Sequence, residues 1–489
     1  MNQITRDPAI QDAIEWALLN GFSLKTSPES ATHCAFSLAP TLIEEARFSH
    51  LRQAVPVLAK LIHAVSEDHK YLQEVMAPIA GADPFFTSLL NLHKRIHFGQ
   101  QKALRQPMLF MRTDFMDDAE EGPRVIEFNG IAAGMGPFGQ RAHELHRYMQ
   151  QQWPVTFRKW SPEDDLRLID NPAIELLSEG VAATARQVRE ESGESGETGQ
   201  PVFLMVVQAD EDNVYDQHLL EQGLQNLGIR TVRRTFRELH DQLSTGENAR
   251  LLLEGIGGVD AVYLRAGYQY SDFVAHDLEE ARCCQALSQT RAFMEQHKVA
   301  INATVSQQLA TSKRVQMLLT SMTAQELTRF GLTLPEASEA KEFLGVMLPV
   351  DENSADWFAD KPCNNWVLKN QGEGGGHCIF GDDILPKLKS LSSEDYQAWS
   401  LMRRLHPAHR QHPALLVRRG EATKVDDLIS EIGLFTLHFN GKPMTRLNGD
   451  DSGYAGYLIR SKPSTVSEGG VHSGMGAADS LAVKYKSPS

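Results

Sequence analysis

The chain has 489 residues, 42% of them hydrophobic and 23% charged, which is enough for two or three cores, since a single core stops growing at roughly 250–300 residues. A net charge of -15 opposes non-specific nucleic-acid binding, and no apolar run approaches the ~20 residues of a membrane helix. Five cysteines, Cys34, Cys283, Cys284, Cys363 and Cys378, form an odd set without C-x-x-C spacing, which argues for reduced thiols. The start lacks the apolar core of a secretory signal, so a cytoplasmic protein is expected.

Residues 8 to 22 and 42 to 78 read as amphipathic helices, with Ile10, Ile14, Ala17 and Leu18 on one stripe and Leu51, Val55, Leu58, Ile62 and Val65 on another. A strand is predicted over Met108 to Met116 and a second over Arg124 to Gly130. Strict alternation puts Val125, Glu127 and Asn129 on one face and Ile126 and Phe128 on the other. Two oxygen donors before the small-residue turn Ile131 to Gly136 suit a hard cation, although the pair alone reads first as a solvated strand edge.

The acidic, glycine-serine-rich stretch Arg189 to Pro201 reads as a flexible loop or a domain joint. Beyond it the pattern becomes α/β: strand Val202 to Val207, helix Asp216 to Leu227, strand Arg230 to Arg234, helix near Phe236 to Leu243 and strand Ala261 to Leu264. Such alternation predicts a small parallel sheet whose ligands lie at the carboxyl ends of strands, where Glu211 to Gln217 and Arg265 to Tyr268 fall.

Thr311 and Ser312 are candidate caps for a helix that starts at Lys313 and Arg314, an arrangement suited to an anion. His406, His409 and His412 read as a solvated loop, because Pro407 and Pro413 break the helix a metal cluster there would need. Glu431 to Met444 reads as a hairpin turning at Asn440-Gly441.

The most informative stretch is Trp366 to Gly381, two apolar strands around Gly374, Gly375 and Gly376. It reads either as a hairpin with a flexible tip or as a phosphate cradle, with Lys369 and Gln371 on one face and Glu373 toward a bound magnesium. It contains neither a Walker loop nor a dinucleotide fingerprint. A second glycine-rich stretch, Glu468 to Gly476, is another candidate lid.

In this order the segments Arg112 to Met116, Glu127 to Asn129, Asn213 to Gln217, Arg265 to Tyr268, Gln308 to Gln316, Leu368 to Gly376, Ser430 to Phe435, Leu458 to Lys462 and Glu468 to Val471 resemble the eukaryotic-type glutathione synthetases of the ATP-grasp superfamily. The resemblance implies an α/β (α+β) ATP-grasp fold with an inserted small parallel α/β substrate-binding domain and a glycine-rich lid. It divides the chain at about 1–200, 201–301 and 302–489, with the lid near 340–408. It implies ligation of glycine to γ-glutamylcysteine through an acyl phosphate formed from ATP, and a homodimer, with no nucleic-acid or membrane partner.

Carried over by motif position, the resemblance gives Glu127, Asn129 and Glu373 two Mg2+ ions to hold. ATP falls to Glu127, Lys313, Lys369, Gln371, Gly374, Gly375, Gly376, Phe380, Met402, Arg403, Arg404, Leu405, Glu431, Lys462 and Glu468. The peptide and acceptor fall to Arg112, Ile131, Ala132, Ala133, Gly134, Glu211, Asn213, Gln217, Arg265, Ala266, Gly267, Tyr268, Arg460, Val471 and His472, with Arg112 and Arg460 as catalytic cations. The sequence departs from the family pattern at Arg403, where an acid is usual, and at Cys378 and Phe380. It departs also at His472 and Ser473, where small residues usually leave room for glycine, so another acceptor amine such as β-alanine is an alternative. A nucleotide-binding protein without turnover is a further alternative. The complete set of magnesium ligands and lysines argues against it.

Overall fold

The strand Gln106–Asp118 organises the protein, and a computed structural model describes it together with residues 7–193, 199–278, 280–372, 378–410, 412–466, 470–471 and 475–484. On one side it pairs antiparallel with Leu428–Phe439, from Met108 opposite Phe439 to Met116 opposite Glu431. Its other edge takes two partners in turn. Gln106 and Pro107 pair parallel with Ala300–Asn302, and Arg112 onward pairs with the returning strand Gly122–Asn129. The Asn302 amide fills the fork between them, donating to Phe110 O and Gly130 O at 3.2 and 3.1 Å.

From that fork the sheet continues as a parallel section in the order Ala300–Asn302, Ala261–Leu264, Val202–Val206, Arg230–Arg234. The strands foreseen at 230–234 and 261–264 form over those residues, and the intervening helices run Val214–Asn226 and Phe236–Gln242. In the opposite direction the sheet passes through Leu428–Phe439 and Tyr454–Pro463 to Ala477–Asp479. The Asn440-Gly441 turn has φ of 49° and 75°, the left-handed pair a tight antiparallel turn requires.

A separate four-stranded antiparallel sheet is ordered Met347–Pro349, Trp399–Arg403, Trp366–Asn370, Cys378–Phe380. Phe358, Leu368, Ile384, Leu388 and Leu401 give it its own core. It falls within the stretch 340–408 where the lid was expected. The glycines Gly374, Gly375 and Gly376 and the ligand candidate Glu373 lie outside the described residues, as do Glu468, His472 and Ser473.

Three sequence expectations change. The helix foreseen over 42–78 is two helices, Glu45–Glu67 and His69–Met76, because Asp68 breaks the run and its carboxylate caps Tyr71 N–H. The stripe Leu51, Val55, Leu58, Ile62 and Val65 is buried in the main core as foreseen. On the first helix, Pro8–Leu19, Leu18 is 44% exposed and Ala13 takes its place on the buried face. Finally, a bulge at Ile126 breaks the alternation in Gly122–Asn129, so Val125 turns to the same core as Phe128 while Glu127 and Asn129 face the other way. A further helix, Pro84–Phe98, was not foreseen. Asp83 as cap and Pro84 in the first turn were its signal.

Candidate active site

The register of four adjacent strands sets out a line of alternating charge. Lys462 Nζ lies 2.9 Å from Glu431 Oε1, and Glu431 Oε2 lies 2.9 Å from Arg460 Nη2. The same Arg460 nitrogen donates to Asp114 Oδ2 at 2.8 Å. Arg112 grips Asp114 with two bonds of 2.6 and 2.7 Å and gives its remaining amino group to Gly134 O at 3.0 Å. Gly433, opposite Asp114, makes room for this fork: a Cβ there would sit 2.7 Å from Asp114 Oδ1 and 2.8 Å from Arg112 Cδ.

Glu127 stands across from Asp114 on the neighbouring strand. The Asn129 amide nitrogen donates to Asp114 Oδ2 at 3.0 Å and approaches Glu127 Oε1 at 3.5 Å, so Asn129 Oδ1 is its candidate ligand atom. Burial by itself raises the Glu127 carboxyl, but Lys313, Lys369, Arg460 and Arg112 outweigh it and hold the group down to about 2. Burial pushes Asp114 up against the pull of Arg112 and Arg460, whereas Glu431, also opposed by burial, is held down by Arg460 and Lys462. Arg460 is raised: burial opposes its charge, and Asp114, Glu431 and Glu127 prevail.

The lid closes one side of this line. Lys369 Nζ donates to Ile126 O at 2.8 Å, and Lys313 Nζ donates to Gly372 O at 2.6 Å. Gln371 accepts the Arg314 N–H at 3.0 Å, so it serves as a cap for the helix Lys313–Ser321 beside Ser312, which bonds Val315 N–H. Thr311 closes the preceding helix, Val305–Ala310, and does not share the capping role foreseen for it. Among the described side chains the cleft gathers five cations, Arg112, Lys313, Lys369, Arg460 and Lys462, against three carboxylates, Asp114, Glu127 and Glu431. That excess is what a polyphosphate requires.

The strand Trp399–Arg403 runs inside the four-stranded sheet, between Met347–Pro349 and Trp366–Asn370. Met402 packs against Met317 and Met347, and Leu405 is buried. Arg403 turns out to solvent and pairs with Glu121 at 2.9 Å, so its side chain is already engaged away from Lys369 and Glu127. The Arg404 guanidinium lies 5.6 Å from the Phe380 ring, over its face.

On the other side of the line, the turn after Asn129 folds over the carboxyl ends of the parallel strands: Ala132 N–H bonds Leu264 O at 3.1 Å. Ala132 takes φ of 51° and Gly134 N–H bonds Ala132 O at 2.7 Å, so Ile131, Ala132, Ala133 and Gly134 form one tight hook. Arg265 donates to Ala132 O at 2.7 Å, and Tyr263 OH to Ala133 O at 3.1 Å. A Cβ on Gly134 would meet Arg265 Nη1 at 2.1 Å. Glu211 accepts from Asn213 N–H at 3.1 Å and from Gln217 Nε2 at 2.6 Å. Asn213 Oδ1 and Arg265 Nε are buried without a hydrogen bond, two polar atoms that a peptide-like ligand can satisfy.

Other foreseen contacts are engaged structurally. Ala266 is buried with its N–H on Val206 O, and the N–H groups of Gly267 and Tyr268 go to Asp272 Oδ2 at 2.7 and 3.1 Å. Gly267 O is held by Arg291 and Gln308, both at 3.2 Å. Val471 packs its side chain in the core around Phe36, Ala477 and Ala478, so a site contact from it would be through its backbone. Sequence reasoning missed Asp114, Gly433 and Asp216. Asp114 is two residues from Arg112 on a strand, and that period was its signal. Asp216 binds the hook from below, accepting Met135 N–H at 2.9 Å.

The described residues contain no helix long and apolar enough to cross a membrane. The family described as "Eukaryotic glutathione synthase, ATP binding domain" matches residues 5–483. The chain is 29% identical to the chloroplastic glutathione synthetase of Solanum lycopersicum, covering 96% of this chain and 83% of that one. It is 26% identical to the glutathione synthetase of Homo sapiens, with 96% and 95% covered. In structure it is similar to a glutathione synthetase-like effector from Globodera pallida, with a TM-score of 0.70 and 18% identity over 99% of both chains, which shows a shared fold. The α/β fold with its lid, the order of the motifs and the match across the chain agree: the protein belongs to the eukaryotic glutathione synthase family, whose members are ATP-dependent ligases.

Proposed function

We propose that this protein joins γ-glutamylcysteine and glycine at the expense of ATP, giving glutathione, ADP and phosphate. The observation that carries the reading is the position of Glu127 and its neighbours, a cation-rich line bounded by Lys369 and Lys313 on one side and by the Arg265 hook on the other.

In this reading the polyphosphate lies between Lys313, Lys369 and Lys462, whose charges offset its repulsion of an attacking carboxylate. Arg112 and Arg460 are held rigid by Asp114, so they orient the carboxylate of the peptide without reorganising during the reaction. The unsatisfied Asn213 Oδ1 and Arg265 Nε receive the peptide. Glu127, kept ionised by its neighbours, and Asn129 Oδ1 are hard oxygen donors and fit magnesium, with Glu373 as a third. Bound magnesium would neutralise charge on the phosphates. The lid keeps water from the activated carboxyl. A cytoplasmic location and a homodimer belong to the same proposal.

The reading is tested by supplying γ-glutamylcysteine, glycine and Mg-ATP and identifying the product by mass. ADP release without a glutathione mass counts against it. Light scattering of the purified protein checks the dimer.

A further inference from the structure

Outside the cleft, the N-terminal helices bring three imidazoles together. His93 and His97 lie four residues apart on Pro84–Phe98 and so share a face, and His69 opens the neighbouring helix His69–Met76. The His69 and His97 rings are stacked with centroids 3.6 Å apart, and His93 lies 4.7 Å from His97 and 5.4 Å from His69. One ligand nitrogen from each falls within 4.8 Å of the other two.

The polar surroundings point the same way. His97 Nε2 and His69 Nδ1 converge on Ser306 Oγ, at 3.0 and 3.4 Å. His93 Nδ1 is held by Gln73 Nε2 at 2.7 Å, and His93 Nε2 is buried without a hydrogen bond. The rings are also in the ligand form. Burial first, then His69 and Arg105, bring His93 to about 3, and burial with the neighbouring imidazoles brings His97 to about 2. The nearby Arg105, whose charge disfavours a cation here, is paired with Glu67 at 2.8 Å, which weakens that opposition.

The geometry points to a transition-metal site in which His69, His93 and His97 bind one zinc-class divalent cation, with Ser306 or water completing a tetrahedron. Three neutral imidazoles select zinc, cobalt, nickel or copper over magnesium, so this site differs in chemistry from the carboxylate-amide site at Glu127. Metal–nitrogen bonds of about 2.0–2.1 Å put tetrahedral ligands roughly 3.4 Å apart, so the stacked His69 and His97 rings turn out of their stack to aim both nitrogens at one ion. Its place in the fold gives the ion a role. Ser306 lies on Val305–Ala310, which leads through Ser312 into Lys313, so the metal braces the helix pack behind an ATP-facing lysine.

The test is a Co2+ titration of chelator-treated full-length protein in saturating Mg2+, read by visible absorption, with Zn2+ as competitor. One equivalent giving the intense band of tetrahedral cobalt, displaced by Zn2+ and lost in both His93→Gln and His97→Gln, is the expected result. Circular dichroism checks that each variant is folded, and His69→Asn serves where one is not. Zn2+ should raise the thermal midpoint of the parent protein and leave that of His97→Gln unmoved. Absence of the band in the parent protein, or its persistence in a double His93→Gln, His97→Gln variant, overturns the site.

Discussion

Lys369 and Ile126 are joined across the cleft: the lid lysine donates to the carbonyl oxygen of the bulged residue that precedes Glu127, at 2.8 Å. The bulge thus does two things. It turns Glu127 and Asn129 toward the cleft, and it offers the lid a carbonyl to close upon. Lys369→Met should lower kcat/KM for ATP by roughly 10²–10³-fold, as loss of a preorganised charge at a phosphoryl site does. Steady-state kinetics with varied ATP would check this, and a change under threefold would remove Lys369 from the nucleotide site.

The second prediction concerns Arg460, which bridges Asp114 and Glu431 at 2.8 and 2.9 Å. Arg460→Met leaves two buried carboxylates without their shared partner, at a cost of about 3–5 kcal/mol. Urea denaturation should show the midpoint falling accordingly, with a smaller loss in Arg460→Lys. Equal stability in all three proteins would mean that Lys462 and Arg112 suffice.

A third prediction follows from the depressed Glu127 carboxyl. Its ordinary value of 4.5 falls to about 2 in the folded protein, so the folded state binds this proton less readily than the unfolded one. The stabilisation is therefore present above about 4.5 and is lost as pH falls toward 2. Between pH 6 and 9, roughly, Glu127 should contribute no step to metal affinity. Lys313→Met removes the first of the charges that hold it down and should move the acid limb of Mg2+ binding to higher pH. Calorimetric Mg2+ titrations across pH provide the check. An unmoved limb would place Lys313 outside the field of Glu127.

Two glycines separate the chemistry of the site from the stability of the fold. Gly134→Ala pushes on Arg265 Nη1, the end of a side chain, at 2.1 Å, whereas Gly139→Ala pushes on the Tyr457 backbone carbonyl at 2.0 Å. Gly134→Ala should raise KM for the dipeptide about tenfold with KM for ATP little changed. Gly139→Ala should lower the thermal midpoint and yield little folded protein. If Gly134→Ala affects ATP and dipeptide alike, the hook is not a peptide element.

The parallel strands were legible in the sequence because Val202 to Val206 and Ala261 to Leu264 are short, fully buried runs bounded by turn residues. The Asn440-Gly441 turn was legible because few other pairs tolerate its left-handed backbone. The face of Val125 was not legible, since a bulge is set by the partner strand and leaves the local pattern unchanged. Nor was the break at Asp68, where a residue common on helix surfaces acts as a cap. In the site, Glu127, Asn129, Lys313, Lys369, Arg112 and Arg460 come together as their motifs suggested. Gln371 also caps a helix and the Val471 side chain fills a core, roles their motifs did not announce. Gly433 stayed hidden because its role exists only across strands that are far apart in sequence.

The identity of the ligation is read most directly from its products. ADP release should be followed with mass spectrometry of products, with γ-glutamylcysteine present and glycine, β-alanine, serine or no amine added in separate reactions. ADP and glutathione should form in equal amounts with glycine, and little of either without an amine. Efficient ligation of β-alanine in preference to glycine would contradict the choice of acceptor and turn attention to His472. No ADP with any amine would contradict the ligase itself.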